Sequence, residues 1–360
     1  MKSIGIIGLG LIGGSLARAL KRKPEAAYIT VMSRNEEALA AAVADGMADI
    51  VTTNDWTRFA DCDIVFICVP VPQIAACAKN LSSVVRKDCI VTDVGSVKGC
   101  VMRDMEALDL CFIGGHPMAG SEKSGYDAAV DYLFENAHYI LTPSSKATAC
   151  AVSRMRGLVE DLGAIPVVLD AAYHDQIVSA VSHGPHVVAA ALVNAVAAQD
   201  DGRGNIQALA AGGFKDITRI ASSDSGLWQS ICIENREEVL CFIRAFHSQT
   251  EAFIRALESG NGEALLELFA SAKTFRDGFT LTGRSMYTET FVVHMDVLDR
   301  PGSIATVATL LSANNINIKN IGIVHNREYH DGVLQIHLDC EDNRLRAVAL
   351  LRDMNFTVYE

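Results

Sequence analysis

Short apolar runs alternate with runs of helical periodicity from residue 1 to about residue 169. The segments SIGIIGLG, YITVMS, DIVFICVP, CIVTDVG, CFIGGH, HYILTP and IPVVLD are nearly continuous in apolar residues and bounded by Gly, Pro or Asp. Strands covered on both faces of a parallel sheet have this pattern. From residue 170 to about residue 286 the period changes. DAAYHDQIVSAVSHGPHVVAAALVNAVAA has apolar positions at helical spacing behind a candidate N-cap, Asp170, and Pro185 inside it should kink or restart the helix. Val239, Phe242, Ile243, Phe246, Phe253, Ile254 and Leu257 form one stripe of a long amphipathic helix. Core packing explains such a stripe most simply. A helical segment this rich in Ala and Val also suits burial against a second subunit, hence a homodimer. Residues 287–360 then give strand TETFVVHMDVL, helix GSIATVATLLSANN, strands INIKNIGIVH and VLQIHLDC, helix NRLRAVALLRDM and strand FTVYE. The order β-α-β-β-α-β is ferredoxin-like. The pattern predicts three domains: an α/β sheet domain over 1–169, an all-helical domain over 170–286 and a small α/β domain over 287–360.

The first strand-to-helix junction carries Gly8-x-Gly10-x-x-Gly13. Between a β run and a helix this is the dinucleotide-binding fingerprint, so the first domain is expected to be of the Rossmann type. Gly8 permits the tight turn, Gly10 lets backbone approach a pyrophosphate, and Gly13 lets helix pack on strand. Leu11 and Ile12 inside the loop, Val69 and Pro70 at the end of DIVFICVP, and Asp93 and Ser96 in TDVGSVKG join the expected cofactor contacts. NAD sites commonly place an acid about 20 residues past the glycines. Here that place holds Ser33 and Arg34. A carboxylate repels a 2′-phosphate, whereas Ser and Arg bind one, so NADP is favoured over NAD.

Composition narrows the partners. The net charge is −12 with no basic block, which argues against nucleic acid. The run VVAAALVNAVAA (187–198) falls short of the roughly 20 residues a membrane span needs and is expected to be a buried helix. No signal peptide is expected: glycines interrupt the apolar N-terminal run and no small-residue cleavage site follows. Ten scattered cysteines without a C-x-x-C pair suit reduced thiols in the cytoplasm.

Polar clusters mark the expected site. TDVGSVKG places Asp93, Ser96 and Lys98 at the carboxyl edge of the sheet, where open α/β sheets bind ligands. GGHPMAGSEKSG places His116 and Glu122 at the same edge, on glycine-rich backbone that can approach a ligand closely. YHDQIVSAVSHGPH offers His174, His183 and His186, and GGFKDITRIASSDSGLW offers Lys215, Asp216, Arg219 and Trp228. Taken singly, His174 and His183 suit hydrogen-bonded structural roles, and Lys215, Asp216 and Arg219 suit a surface ion-pair set. The His183-x-x-His186 spacing could suit a metal, but Pro185 distorts it and no carboxylate lies beside it, so no metal is expected.

Together GLGLIGGSLA, TDVGSVK, GGHPMAGSEKSG, SHGPH and GGFKDITRIASSDSGLW, in order, resemble the prephenate dehydrogenase family of tyrosine biosynthesis over essentially the whole chain. The resemblance implies oxidative decarboxylation of prephenate to 4-hydroxyphenylpyruvate with hydride transfer to NADP or NAD. It implies His116 as the group that takes the hydroxyl proton, and Ser96 as its partner at the hydroxyl and the nicotinamide. It implies Arg219 at a substrate carboxylate, His186 at the pyruvyl end, Glu122 and Asp216 as an ionic gate, and Lys215, His174 and Trp228 near the substrate. DRPGSIA and NNINI resemble an ACT domain, implying a regulatory amino-acid site at Asp299, Gly302, Ser303, Asn315 and Ile316, with tyrosine as inhibitor. SHGPH departs from the family at Gly184, where many members carry Leu; this is expected to alter packing more than chemistry. Arogenate dehydrogenase on the same scaffold is the nearest alternative. A more distant β-hydroxyacid dehydrogenase would normally use a lysine base, and Lys215 lacks that context. A non-catalytic tyrosine or nucleotide sensor is the alternative from another class.

Overall fold

The computed structural model describes residues 3–22, 28–121, 123–282, 291–298, 300–324 and 332–359. The chain divides into two compact units, 1–250 and 251–360.

The first unit holds an eight-stranded sheet. Its strands are β1 (Ser3–Ile7), β2 (Tyr28–Met32), β3 (Ile50–Thr52), β4 (Ile64–Ile67), β5 (Ile90–Asp93), β6 (Cys111–Pro117), β7 (His138–Pro143) and β8 (Ile165–Val168). The order is β3-β2-β1-β4-β5-β6-β7-β8. Helices α1 (Leu11–Lys21), α2 (Glu36–Ala44), α3 (Val71–Ser82), α4 (Gly99–Glu106) and α5 (Ala149–Asp161) connect them. Two apolar clusters flank the sheet. One gathers Leu16, Ile29, Phe66 and Met155, the other Phe59, Ile74, Val91 and Met105. Covering on both faces explains the continuous apolar runs of the central strands.

Two features depart from the strand pattern. β7 runs antiparallel to β6, and β8 parallel to β7. A parallel neighbour of β6 would need a helical crossover. The described residues between β6 and β7, 118–121 and 123–137, contain no helix. β3 was not expected: it has three residues, none of them buried, so no apolar run announces it.

Helices follow the sheet: α6 (Ala171–Val178), α7 (Gly184–Ala197), α8 (Asn205–Leu209), α9 (Gly212–Thr218), α10 (Ser225–Glu234) and α11 (Arg236–Glu258). Asp170 caps α6 by accepting from the Tyr173 amide at 2.9 Å. A π-helical turn, Ser179–His183, separates α6 from α7. It comes just ahead of Pro185, whose ring cannot continue an α-helical ladder. In the run 187–198 only Ala189 is buried, so the expected buried helix is largely uncovered in a single chain. Ala171–Ala197 is long and apolar enough to cross a membrane by length and composition, but the π turn and Pro185 break it.

The second unit contains the end of α11, then α12 (Gly262–Thr282) and a small sheet. Phe253 meets Phe269 edge to face across the helix pair. The sheet comprises β9 (Phe291–Val297), β10 (Asn320–Val324), β11 (Gly332–Leu338) and β12 (Val358–Tyr359), antiparallel in the order β10-β11-β9-β12. With α13 (Ser303–Ala313) and α14 (Glu341–Asp353) it forms the expected β-α-β-β-α-β unit. Alternate residues Val293, Met295, Val297, Leu334 and Ile336 pack with Val307, Leu311 and Leu351 into one core.

Candidate active site

The sheet order reverses between β1 and β4, and their carboxyl ends frame the crevice where open α/β sheets take a ligand. Gly8 follows β1 with φ +97°, a conformation that L side chains rarely adopt. A Cβ there would strike the carbonyl of Cys68 and come within 3.1 Å of Val69. A Cβ on Gly13 would strike the Gly8 carbonyl, so strand and helix meet there without a side chain between them. Gly10, the N-cap of α1, has open space where its Cβ would lie. This is a cradle shaped for a diphosphate facing a helix N-terminus. Leu11 and Ile12 open α1, half-buried; Val69 and Pro70 lead into α3. At the end of β2 the Ser33 hydroxyl accepts from the Asn35 amide at 3.2 Å, and Asn35 caps α2. Arg34 is exposed beside them.

Asp93 was expected among the cofactor contacts, but its side chain is committed internally. It is fully buried at the end of β5. It accepts from the Gly95 amide at 2.8 Å, the Gly115 amide at 3.1 Å and the Lys98 ammonium at 2.5 Å. Lys98 is also 0% exposed. Removing one partner of such a buried pair costs about 3–5 kcal/mol, so the pair fixes the loop that carries Ser96. Ser96 itself is half-buried at the edge.

His116 lies one residue from the end of β6 and is 8% exposed. The glycines before it serve the sheet rather than a ligand. A Cβ on Gly114 would strike Thr142, and one on Gly115 would lie 2.5 Å from the Asp93 carbonyl. His116 Nδ1 is 2.8 Å from His174 Nε2, and His174 Nδ1 is 2.7 Å from Asp175 Oδ1. Burial pushes the His116 imidazole well below its ordinary pKa; positive charge on His174 or His183 when protonated, and on Lys98, acts in the same direction. His116 is therefore neutral near pH 7, as a proton acceptor must be. His174 was expected at the substrate. It is instead 0% exposed, with both ring nitrogens engaged by protein.

The π turn and α7 bring the other histidines together. The Asn235 amide donates to the Asp175 carbonyl at 3.0 Å and lies 3.1 Å from His183 Nδ1. Burial lowers the His183 pKa to about 4. His186 donates from Nδ1 to the Ser182 carbonyl at 2.9 Å. Its ring stacks on Trp228 with centroids 3.4 Å apart. Burial lowers the His186 pKa, and the Arg219 charge acts in the same direction, which places that guanidinium near His186. Lys215 and Asp216 are exposed on α9, and Arg219 follows it. Glu122 lies outside the described residues.

The structure thus gathers His116, His174 and His183 at the carboxyl edge, and His186, Trp228 and Arg219 around α7. Sequence reasoning missed Asp175 and Asn235. The adjacent pair His174–Asp175 was the available signal for the first; nothing near Asn235 announced the second.

Comparison with known proteins identifies relatives of the whole chain. The family described as "Prephenate dehydrogenase, nucleotide-binding domain" matches residues 16–168, and "Prephenate dehydrogenase, dimerization domain" matches residues 170–271. The prephenate dehydrogenase of Bacillus subtilis is 35% identical over 349 residues, covering 96% of this chain and 94% of that protein. Aquifex aeolicus prephenate dehydrogenase, solved with hydroxyphenyl propionate and NAD+, aligns with a TM-score of 0.73 at 34% identity, covering 78% of this chain and 98% of that one. Synechocystis arogenate dehydrogenase aligns with a TM-score of 0.70 at 32% identity, covering 78% of this chain and all of that one (100%). Two domains of one enzyme family matched in order, with curated relatives along nearly the whole length, place the chain in a known lineage: it belongs to the prephenate dehydrogenase family.

Proposed function

We propose that the chain catalyses oxidative decarboxylation of prephenate to 4-hydroxyphenylpyruvate, with NADP favoured over NAD. The observation that carries the reading is a neutral, buried imidazole, His116, on the sheet edge that also bears the glycine cradle. Gly8, Gly10 and Gly13 hold the diphosphate, and Ser33 with Arg34 hold the 2′-phosphate. When bound, the dinucleotide accepts the hydride from C4 of the substrate ring. His116 takes the proton of the C4 hydroxyl, a role that contributes about 10²–10⁴ in rate. The ring carboxylate departs as CO2 and leaves its electron pair in the ring. The phenolate so formed takes the proton back from His116, so no net proton is released. Ser96 hydrogen-bonds the hydroxyl, Arg219 pairs with a carboxylate, and His186 contacts the pyruvyl end beside Trp228. Asp216 and Glu122 form an ionic gate with Arg219, and Lys215 lies near the substrate. Retention of His186 favours prephenate over arogenate, which carries an amino group in place of the ketone. A steady-state assay crossing NADP and NAD with prephenate and arogenate tests the reading. NADPH formation with prephenate supports it. Turnover of arogenate alone moves the specificity, and cofactor binding without turnover of either substrate leaves a sensor.

We further propose that the C-terminal β-α-β-β-α-β unit is an ACT domain through which tyrosine inhibits. Gly302 (φ +90°) precedes Ser303 at the start of α13, and Asn315 (φ +54°) follows that helix, next to buried Ile316. Asp299 lies outside the described residues. Truncation near residue 286 should abolish tyrosine inhibition; full retention would place tyrosine in the active site. A homodimer built on the helical segment fits the exposed Leu257, Leu266, Phe269 and Phe279, and light scattering tests it.

A further inference from the structure

The hydrogen bonds around His174 have a direction, and it determines what His116 can do. The Asp175 carboxylate only accepts. Its Oδ1 takes the Lys98 amide at 2.8 Å, and its Oδ2 takes the Gly99 amide at 2.7 Å. A Cβ on Gly99 would lie 2.8 Å from that oxygen, so the glycine admits the contact. The His174 nitrogen facing Oδ1 must therefore be the donor, Nδ1–H. In neutral His174 the other nitrogen, Nε2, is then an acceptor. It faces His116 Nδ1, which must donate. The lone pair of neutral His116 is thereby fixed on Nε2, the nitrogen that His174 does not occupy.

We propose that Asp175, acting through His174, is the positioning residue that holds His116 as a base with its Nε2 lone pair available to the substrate hydroxyl. The inference rests on His116 being the base. The arrangement also matters after proton uptake. Lys98 adds positive charge near His116 from the β5–α4 connection, where Asp93 pairs with it, and neutral His183 faces it from the π turn. Asp175 is the anion delivered toward His116 through a ring, and it offsets the charge that His116 gains. The Asn235 bond to the Asp175 carbonyl holds the backbone from which this chain of contacts starts.

The order of contacts predicts the behaviour of three variants of the full-length protein. Asp175→Asn offers one acceptor oxygen where two are used. If its amide nitrogen turns to His174, both rings reverse and His116 presents N–H to the substrate. The expected loss in kcat is ~10²–10⁴, the scale seen when an orienting carboxylate is lost and a histidine takes the wrong tautomer. His174→Phe removes the acceptor for His116 Nδ1 and should lose ~10²-fold or more in kcat with KM changed by less than about threefold. His174→Gln can still accept from His116 through its amide oxygen while cutting the link to Asp175. It should keep more activity than His174→Phe, and its acid limb in kcat/KM should move to lower pH, because the offsetting anion is disconnected. A purely structural role would move melting temperature without moving that limb.

The experiment is steady-state kinetics of the wild type and the three variants with prephenate from about pH 5 to about pH 9, beside thermal melts. Should Asp175→Asn fail to fold, the two His174 variants carry the test. The proposal is overturned if His174→Phe keeps kcat within about twofold of wild type. It is equally overturned if His174→Gln leaves the acid limb unmoved. An inactive wild type would instead count against the assigned reaction and is read separately.

Discussion

Replacing Arg34 by Ala removes one positive charge from the carboxyl end of β2 and leaves the turn around it in place. The turn is held by other groups: the Ser33 amide on the Thr52 carbonyl at 3.2 Å, the Ser33 hydroxyl on the Asn35 amide, and Asn35 as the cap of α2. Arg34 is exposed, yet its charge reaches Cys77 on α3 and opposes the rise that burial imposes on that thiol. It follows the carboxyl end of β2, the position from which a dinucleotide-binding sheet reads the ribose 2′ position. Two unit charges about 4 Å apart interact by about 1 kcal/mol in bulk water and about 4 kcal/mol near a protein surface. Exposure and salt draw the net value toward the lower figure, whereas a phosphate of charge near −2 and a guanidinium fork raise it. A net ~1–2 kcal/mol corresponds to a five- to thirty-fold change, to order of magnitude. Arg34→Ala should thus raise KM for NADP by ~10-fold and leave NAD within about twofold. Arg34→Asp should widen the difference by repulsion. The assay is kcat/KM for both dinucleotides at saturating prephenate, repeated at higher salt, where the NADP advantage should shrink. Equal changes for NADP and NAD would refute the reasoning, because the charge would then be reading something common to both.

His116→Asn should lower kcat by ~10²–10⁴ with little change in KM. Because burial lowers its pKa, kcat/KM in the wild type should stay flat through neutrality and decline only below the ordinary histidine value; an acid limb at or above about pH 6.5 contradicts that account. Gly184→Leu should destabilise by about 1–3 kcal/mol, since a Cβ there strikes the Phe242 ring, and Phe242→Ala should restore much of the loss in a double mutant, read by chemical denaturation. His183 titrates at about 4 when folded and near 6.5 when unfolded, so the unfolded chain binds more protons between those values. Its contribution, on the order of 3 kcal/mol, is present above about pH 6.5 and is lost as pH falls toward 4. Melting temperatures across that window should drop less steeply in His183→Gln than in the wild type.

Much of the scaffold was legible because it depends on local rules. Continuous apolar runs announced the central strands, and Gly8-x-Gly10-x-x-Gly13 announced the cradle, because turn and close approach demand those residues at that spacing. β7 was legible as a strand but not in direction, because direction follows from whether the preceding connection contains a helix. The helix at 187–198 was legible as a helix but not as an uncovered one, because its apolar positions do not say whether their partner lies in the same chain.

The site divides in the same way. His116, Ser96 and Arg219 stand in short motifs that can be read directly along the chain. Asp93 carries an equally conspicuous motif position, yet its work is to neutralise Lys98 and to hold the amides of Gly95 and Gly115. Sequence position alone does not separate a carboxylate that meets a ligand from one that meets a buried lysine. Asp175 and Asn235 were harder still. Asp175 accepts from the Lys98 amide across a long stretch of chain, and Asn235 meets His183 through a bond whose direction depends on tautomer. Asp175 sat in plain view beside His174, and only the fold shows that its carboxylate turns to the α4 amides and leaves His174 to face His116. The histidine between two glycines and a proline is thus explained in two parts. The glycines let β6 lie against its neighbours, and a carboxylate far along the chain, Asp175, determines which face of the imidazole is basic.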